Sequence, residues 1–119
     1  MNNIGKGKAG EKLASNYLKN RGYRILEENY KVSFGEIDII AEKSNYICFI
    51  EVKCRKSNRY GTPEEALTTY KRNKIIKVAQ FYIKKKNIKD KYFRFDVIAI
   101  LLDKNLLKEI KHITNAFIQ

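Results

Sequence analysis

The sequence predicts a mixed β-sheet flanked by helices, in the α/β or α+β class. Three observations carry this. Segments with helical apolar spacing alternate with short β runs in the order αβββαββ. The run YICFIEVKCR (46–55) is apolar on both faces in its first half, as expected of a central strand. GEIDIIAE (35–42) and the run at 46–55 are joined by a short turn, as in an antiparallel hairpin.

The elements follow in order. Ala9, Leu13, Ala14, Tyr17 and Leu18 recur at helical spacing and define a helix over 6–20, stopped by Gly22. Residues 23–30 form a short extended segment. GEIDIIAE (35–42) reads as a strand, and Lys43-Ser44-Asn45 turns it into the strand at 46–55, giving an antiparallel hairpin. A polar loop (56–61) follows. Thr62-Pro63-Glu64-Glu65 has the form of a helix start, with Thr as N-cap, Pro at the first position and Glu at the third. Helical spacing continues through Leu67, Tyr70, Ile75, Val78, Ala79, Tyr82 and Ile83, with a break at Thr68-Thr69. Residues 92–102 and 106–113 are two more strands, joined across Asp103-Lys104-Asn105.

The 119 residues suit one domain, 1–119, able to form a core without staples. Cys48 and Cys54 lie in one strand, roughly 20 Å apart if extended, beyond disulfide reach. Their spacing matches no zinc site, and His112 adds little. Reduced thiols, a polar start without an apolar leader core, and no apolar run near membrane-spanning length point to a cytoplasmic protein without membrane partners. The formal charge is +12, and residues 53–91 hold 13 Lys and Arg against Glu64, Glu65 and Asp90. Such a basic region attracts phosphate polyanions by releasing counterions, so nucleic acid is the expected partner. The plainer alternative is a solvated lysine surface.

Glu11, Asp38, Glu51 and Lys53 are the candidate catalytic residues. Glu51 and Lys53 share a face of an otherwise apolar strand, where charges are costly unless paired or bound to an ion. Asp38 interrupts the neighbouring strand between Ile37 and Ile39, and hairpin pairing places it across from positions near 50. Glu11 sits at the rim of the first helix's apolar stripe. Converging carboxylates repel, and a hard divalent cation relieves that repulsion. Asp38 and Glu51, with the Val52 carbonyl, are the expected metal ligands, and oxygen donors favour Mg²⁺ or Mn²⁺. The metal would activate a water, with Lys53 orienting it or stabilising developing charge. Ordinary readings exist for each: an i, i+2 pair on a solvated strand face, an edge-strand Asp, a helix-surface Glu. Arg55, Lys56, Arg59 and Tyr60, in or beside the loop after that strand, and Lys71 on the following helix are candidate nucleic-acid contacts. Asp96 is expected in a buried ion pair, and His112 in a structural or exposed role.

Gly10-Glu11, Ala14, Tyr17-Leu18, Gly22 to Leu26 and Asn29-Tyr30 resemble the opening of the YraN-like family. GEIDIIA (35–41), FIEVK (49–53) with Arg55, Tyr60-Gly61, Lys71, Lys74-Ile75, Ala79 and RFDV (94–97) continue the similarity. The resemblance implies a restriction-endonuclease-like fold related to Holliday-junction resolvases, whose relatives are dimers. It also implies the D…E-x-K chemistry of metal-dependent phosphodiester cleavage. Carried over, Asp38 and Glu51 are metal ligands, Lys53 the catalytic lysine and Glu11 the helix carboxylate. Ile37 stands before Asp38 where the signature has Pro, and Gln80 is followed four places on by Lys84 rather than Tyr. Lys71 can cover part of that helix role. The expected function is a metal-dependent DNA endonuclease. The alternatives are a catalytically silent nucleic-acid-binding module of the same fold, and a basic adaptor that binds another protein.

Overall fold

The structure is a computed structural model and describes residues 3–56, 67–104 and 106–117. In chain order it has α1 (Asn3–Asn20), β1 (Arg24–Val32), β2 (Gly35–Lys43), β3 (Tyr46–Arg55), α2 (Thr69–Lys85), β4 (Tyr92–Asp103) and β5 (Leu106–Phe117). The strands lie side by side as β1-β2-β3-β4-β5. β1, β2 and β3 pair antiparallel, β3 and β4 pair parallel, and β5 returns antiparallel to β4. The αβββαββ order with a mixed sheet is the restriction-endonuclease-like fold. No helix of the described residues is long and apolar enough to cross a membrane.

The core lies on both sides of the sheet, and β3 supplies both. Ile47 and Phe49 pack with Ile75, Val78, Ala79 and Tyr82 of α2. Cys48 and Ile50 pack with Ala14 and Leu18 of α1. Successive strand residues point to opposite faces, so a central strand between two helices reads as a continuous apolar run. Burial pushes the Cys48 thiol up to about 12, which leaves it inert.

Both helices end in the same way. Gly22, at φ 87, donates to the Lys19 carbonyl, and Tyr23 donates to that of Leu18. Asn87, at φ 54, and Ile88 repeat this on Lys84 and Ile83, so the last carbonyls are satisfied by a left-handed residue past each helix. The Thr68 hydroxyl accepts from the Lys71 N–H and caps the start of α2. This is the physical basis of the expected break at Thr68-Thr69. The expected helix start at Thr62–Glu65 lies outside the described residues.

Three boundaries differ from the spacing. α1 begins at Asn3, ahead of the expected start at 6, in a stretch that the apolar repeat from Ala9 does not mark. β1 extends to Val32, which pairs with Gly35 across a two-residue turn. β5 extends to Phe117, which pairs with Phe95 and stacks on its ring at 5.0 Å. A register shift in this ladder, with Asn115 at φ 51, breaks the alternation there.

Candidate functional site

The site forms where the β2–β3 ladder opens. Ile37 packs on the α2 side of the sheet and Ile39 on the α1 side, although residues two apart in a regular strand share a face. The chain therefore turns over at Asp38. Its neighbour β1 turns over with it at Asn29, which takes φ 52. On one side of that residue Glu28 accepts from the Ser15 hydroxyl of α1; on the other, Tyr30 meets Tyr82 of α2 edge-on. β2 and β3 pair from Lys43↔Tyr46 to Ile39↔Ile50. Past that point the Asp38 carboxylate continues the strand contact itself, accepting from the Val52 N–H at 2.8 Å.

Glu51, Lys53 and Asp38 come together at this opening. The Lys53 ammonium stands 3.5 Å from Glu51 Oε2, and both side chains are 20% exposed. Burial raises the Asp38 pKa from 3.8 to about 7, helped by a hydrogen bond with the Glu51 carboxyl group and by that group's charge. The Val52 N–H and the Lys53 charge pull the other way without prevailing. Two carboxyl groups this close cannot both ionise freely near neutrality.

The pair faces a cleft of about 510 Å³. Lys71 and Lys74 of α2 form one wall, and Lys31, Phe34 and Glu36, from the β1–β2 hairpin and its turn, form the other. Gly35 allows that turn to approach α2: a Cβ built there would lie 2.9 Å from Val78 Cγ2. The donor set fits a hard cation. Mg²⁺ typically takes one or two carboxylates and fills its remaining positions with water and phosphate oxygens. The Glu51 charge that adds to burial in lifting Asp38 is a repulsion that a divalent ion relieves.

The structure brings Asp38 and Glu51 to one cleft and places Glu11 in a neighbouring depression. Glu11 projects from α1, which packs on the opposite face of the sheet from α2, and lines a separate depression with Ser15, Glu28 and Asn29. Its pKa is raised, first by burial and then by the charge of Asp38, so the two sense each other without sharing a pocket. Among the described residues, no group of three His, Cys, Asp or Glu side chains is placed to hold one metal ion.

Of the expected nucleic-acid contacts, Lys71 lines the cleft, Arg55 closes β3 and Lys56 is exposed just beyond it. Arg59 and Tyr60 lie outside the described residues. The sequence reading missed Lys31, Phe34 and Lys74 as wall residues. A bulky aromatic in a two-residue turn was the available signal for Phe34. Asp96 lies away from the cleft and is fully buried. It takes hydrogen bonds from Arg94, from the Asn115 N–H and, at 2.7 Å, from His112 Nε2. Burial alone would push its carboxyl up, but His112 and Arg94 outweigh this and hold it below the usual range. His112 is thus engaged in a structural cluster beside Tyr17 and Tyr23.

Residues 10–100 match the model of a family described as "Uncharacterised protein family UPF0102". Similar proteins carry the same family name. One, from Clostridium botulinum (strain Loch Maree / Type A3), is 54% identical over 113 residues, spanning 93% of this chain and 92% of the relative. Another, from C. botulinum (strain Kyoto / Type A2), is 55% identical over the same spans. A third, from Caldanaerobacter subterraneus subsp. tengcongensis, is 48% identical over 113 residues, spanning 93% of each chain.

Proposed function

Because this chain belongs to the UPF0102 family, the YraN-like family anticipated from its motifs, and has the restriction-endonuclease-like fold, we propose that it is a cytoplasmic nucleic-acid-binding module that seats a phosphodiester backbone over the Asp38–Glu51 cleft. The observation that carries this reading is the make-up of the cleft, with lysines on both walls above a carboxylate pair. Lys31, Lys71 and Lys74 offer ammonium groups to phosphates. The carboxylates below would repel a phosphate unless protonated or bridged by a cation.

A finer reading is favoured by one specific feature, the ammonium of Lys53 beside the Asp38–Glu51 pair. It is metal-dependent cleavage of DNA. Asp38 and Glu51, with the Val52 carbonyl, would hold Mg²⁺ or Mn²⁺. Bound there, the ion would supply an activated water and charge screening. Lys53 holds positive charge next to the reacting phosphate, and Lys71 keeps the backbone in place. Glu11, from α1, lies near enough to Asp38 for that carboxylate's charge to help raise its own pKa.

The test combines binding and cleavage on branched, flapped, duplex and single-stranded substrates with metals varied. Salt-sensitive binding is expected, weakened by Lys71→Ala. Mg²⁺- or Mn²⁺-dependent nicking that vanishes in Lys53→Ala and Asp38→Asn establishes the endonuclease. Binding without cleavage under any metal leaves the silent module, and absence of binding refutes both.

A further inference from the structure

The exposed side of α2 has an arrangement that the cleft does not use. The helix holds six Lys and Arg and no acidic residue in its 17 positions. Its buried side is Ile75, Val78, Ala79 and Tyr82. Flanking them run Tyr70, Lys74, Lys77, Phe81 and Lys85, all exposed, at intervals of four, three, four and four residues. Such spacing keeps side chains in one row, here roughly 22 Å long at the helical rise. Tyr70 is 70% exposed and Phe81 39%. The Lys74 ammonium sits 5.2 Å from the centre of the Tyr70 ring and that of Lys85 5.7 Å from Phe81.

This row joins the cleft. Phe34, 43% exposed, meets Phe81 edge-on at 5.6 Å between ring centres. Phe34 and Lys74 also line the cleft above Asp38 and Glu51. Exposed aromatics scattered singly mean little. Here three stand in or against one row, interleaved with lysines and free of acidic residues. The buried centre of a protein–protein interface is depleted in lysine, which disfavours a protein partner. Duplex bases are already stacked on each other and offer no ring face at a groove. Unpaired bases do, and aromatic rings alternating with cations are the usual platform for them.

We infer that the exposed face of α2, together with Phe34, is a track for a single nucleic-acid strand leading to the Asp38–Glu51 cleft. Unpaired bases stack on Tyr70, Phe81 and Phe34, while Lys74, Lys77 and Lys85 take the phosphates. The inference rests on the nucleic-acid reading above and adds the state of the strand.

The sequence contains no Trp, so Phe34→Trp places a unique fluorophore on the track. The full chain is titrated against a fluorescein-labelled mixed-sequence DNA strand and against its duplex. The single strand should bind more tightly and quench the indole emission of the Phe34→Trp variant more strongly than the duplex does. Tyr70→Ala and Phe81→Ala should each lower single-strand affinity roughly 5- to 100-fold without changing the salt slope or duplex binding. Lys77→Ala should instead flatten the slope of log affinity against log salt by about 0.7. If the wild-type chain binds the single strand but the aromatic variants bind as well as it does, or lose duplex affinity equally, or the introduced indole's emission is unmoved, the track is refuted while the nucleic-acid reading stands. If the wild-type chain binds neither DNA, both fall.

Discussion

Replacing Asp38 by Asn should stabilise the protein without metal, and only above acidic pH. The Asp38 pKa rises from 3.8 to about 7 on folding, so the native state holds this proton more tightly than the unfolded chain does. The stability so gained is fully present below about pH 4 and is lost as the pH climbs through about 7. Taken whole, the rise corresponds to roughly 4 kcal/mol against the ionised form at alkaline pH. Asparagine has the same shape, can accept from the Val52 N–H and can donate to Glu51, but it no longer balances the Lys53 charge. About half of the ceiling, ~2 kcal/mol, is the expected gain at pH 8.5, or roughly 8 °C in midpoint for a chain of this length. Thermal unfolding of both proteins in chelator at pH 4 and pH 8.5 measures it. The curves should nearly coincide at pH 4 and separate at pH 8.5, and Mg²⁺ should then narrow the gap by stabilising the wild type. A gap that does not depend on pH would overturn the raised pKa of Asp38.

Other outcomes follow from the same geometry. Glu51→Gln should bring the Asp38 titration down towards 3.8 and Lys53→Met should push it above 7, as read by carboxyl-carbon NMR; shifts of the opposite sign would contradict the arrangement. Asp96→Ala strands Arg94 and His112 around a fully buried gap and should cost about 3–5 kcal/mol in urea unfolding. A loss below ~1 kcal/mol would mean the cluster is not a structural centre. Gly35→Ala drives a methyl into Val78 and should cost about 1–3 kcal/mol. Adding Val78→Ala should recover part of that loss, and strictly additive losses would show that the turn does not press on α2 there.

Much of the fold was legible because its signals are local. The bounds of β3 matched because Ile47, Cys48, Phe49 and Ile50 are buried on two faces and leave one strand as the only reading. Asp38 stood out as a lone acid within an isoleucine run, and the short turn at Ser44-Asn45 fixed which residues it would approach. What could not be read is what depends on tertiary placement. The stripe of Ala14 and Leu18 shows that Glu11 lies near the sheet, but the side on which α1 packs is set by how the chain crosses it. The end of β5 escaped because three of its residues around Asn115 face one residue of β4, which interrupts the alternation, and Thr114-Asn115 then looks like a strand terminus. The turnover at Asn29 and Asp38 has no signature in hydrophobic period, since it is the point at which that period fails.

The two halves of the proposed site have different origins in the chain. Asp38 and Glu51 come from strands joined by a two-residue turn, so the acid pair is in place once that hairpin closes, an event of roughly 1–10 µs. The lysines and rings of α2 sit instead on the crossover that the parallel pairing of β3 with β4 demands, and they arrive only when distant segments dock. The acid pair and the proposed grip are thus written in separate stretches of sequence. Changes along the crossover can alter what is held, and how firmly, while the hairpin keeps its acids where they are.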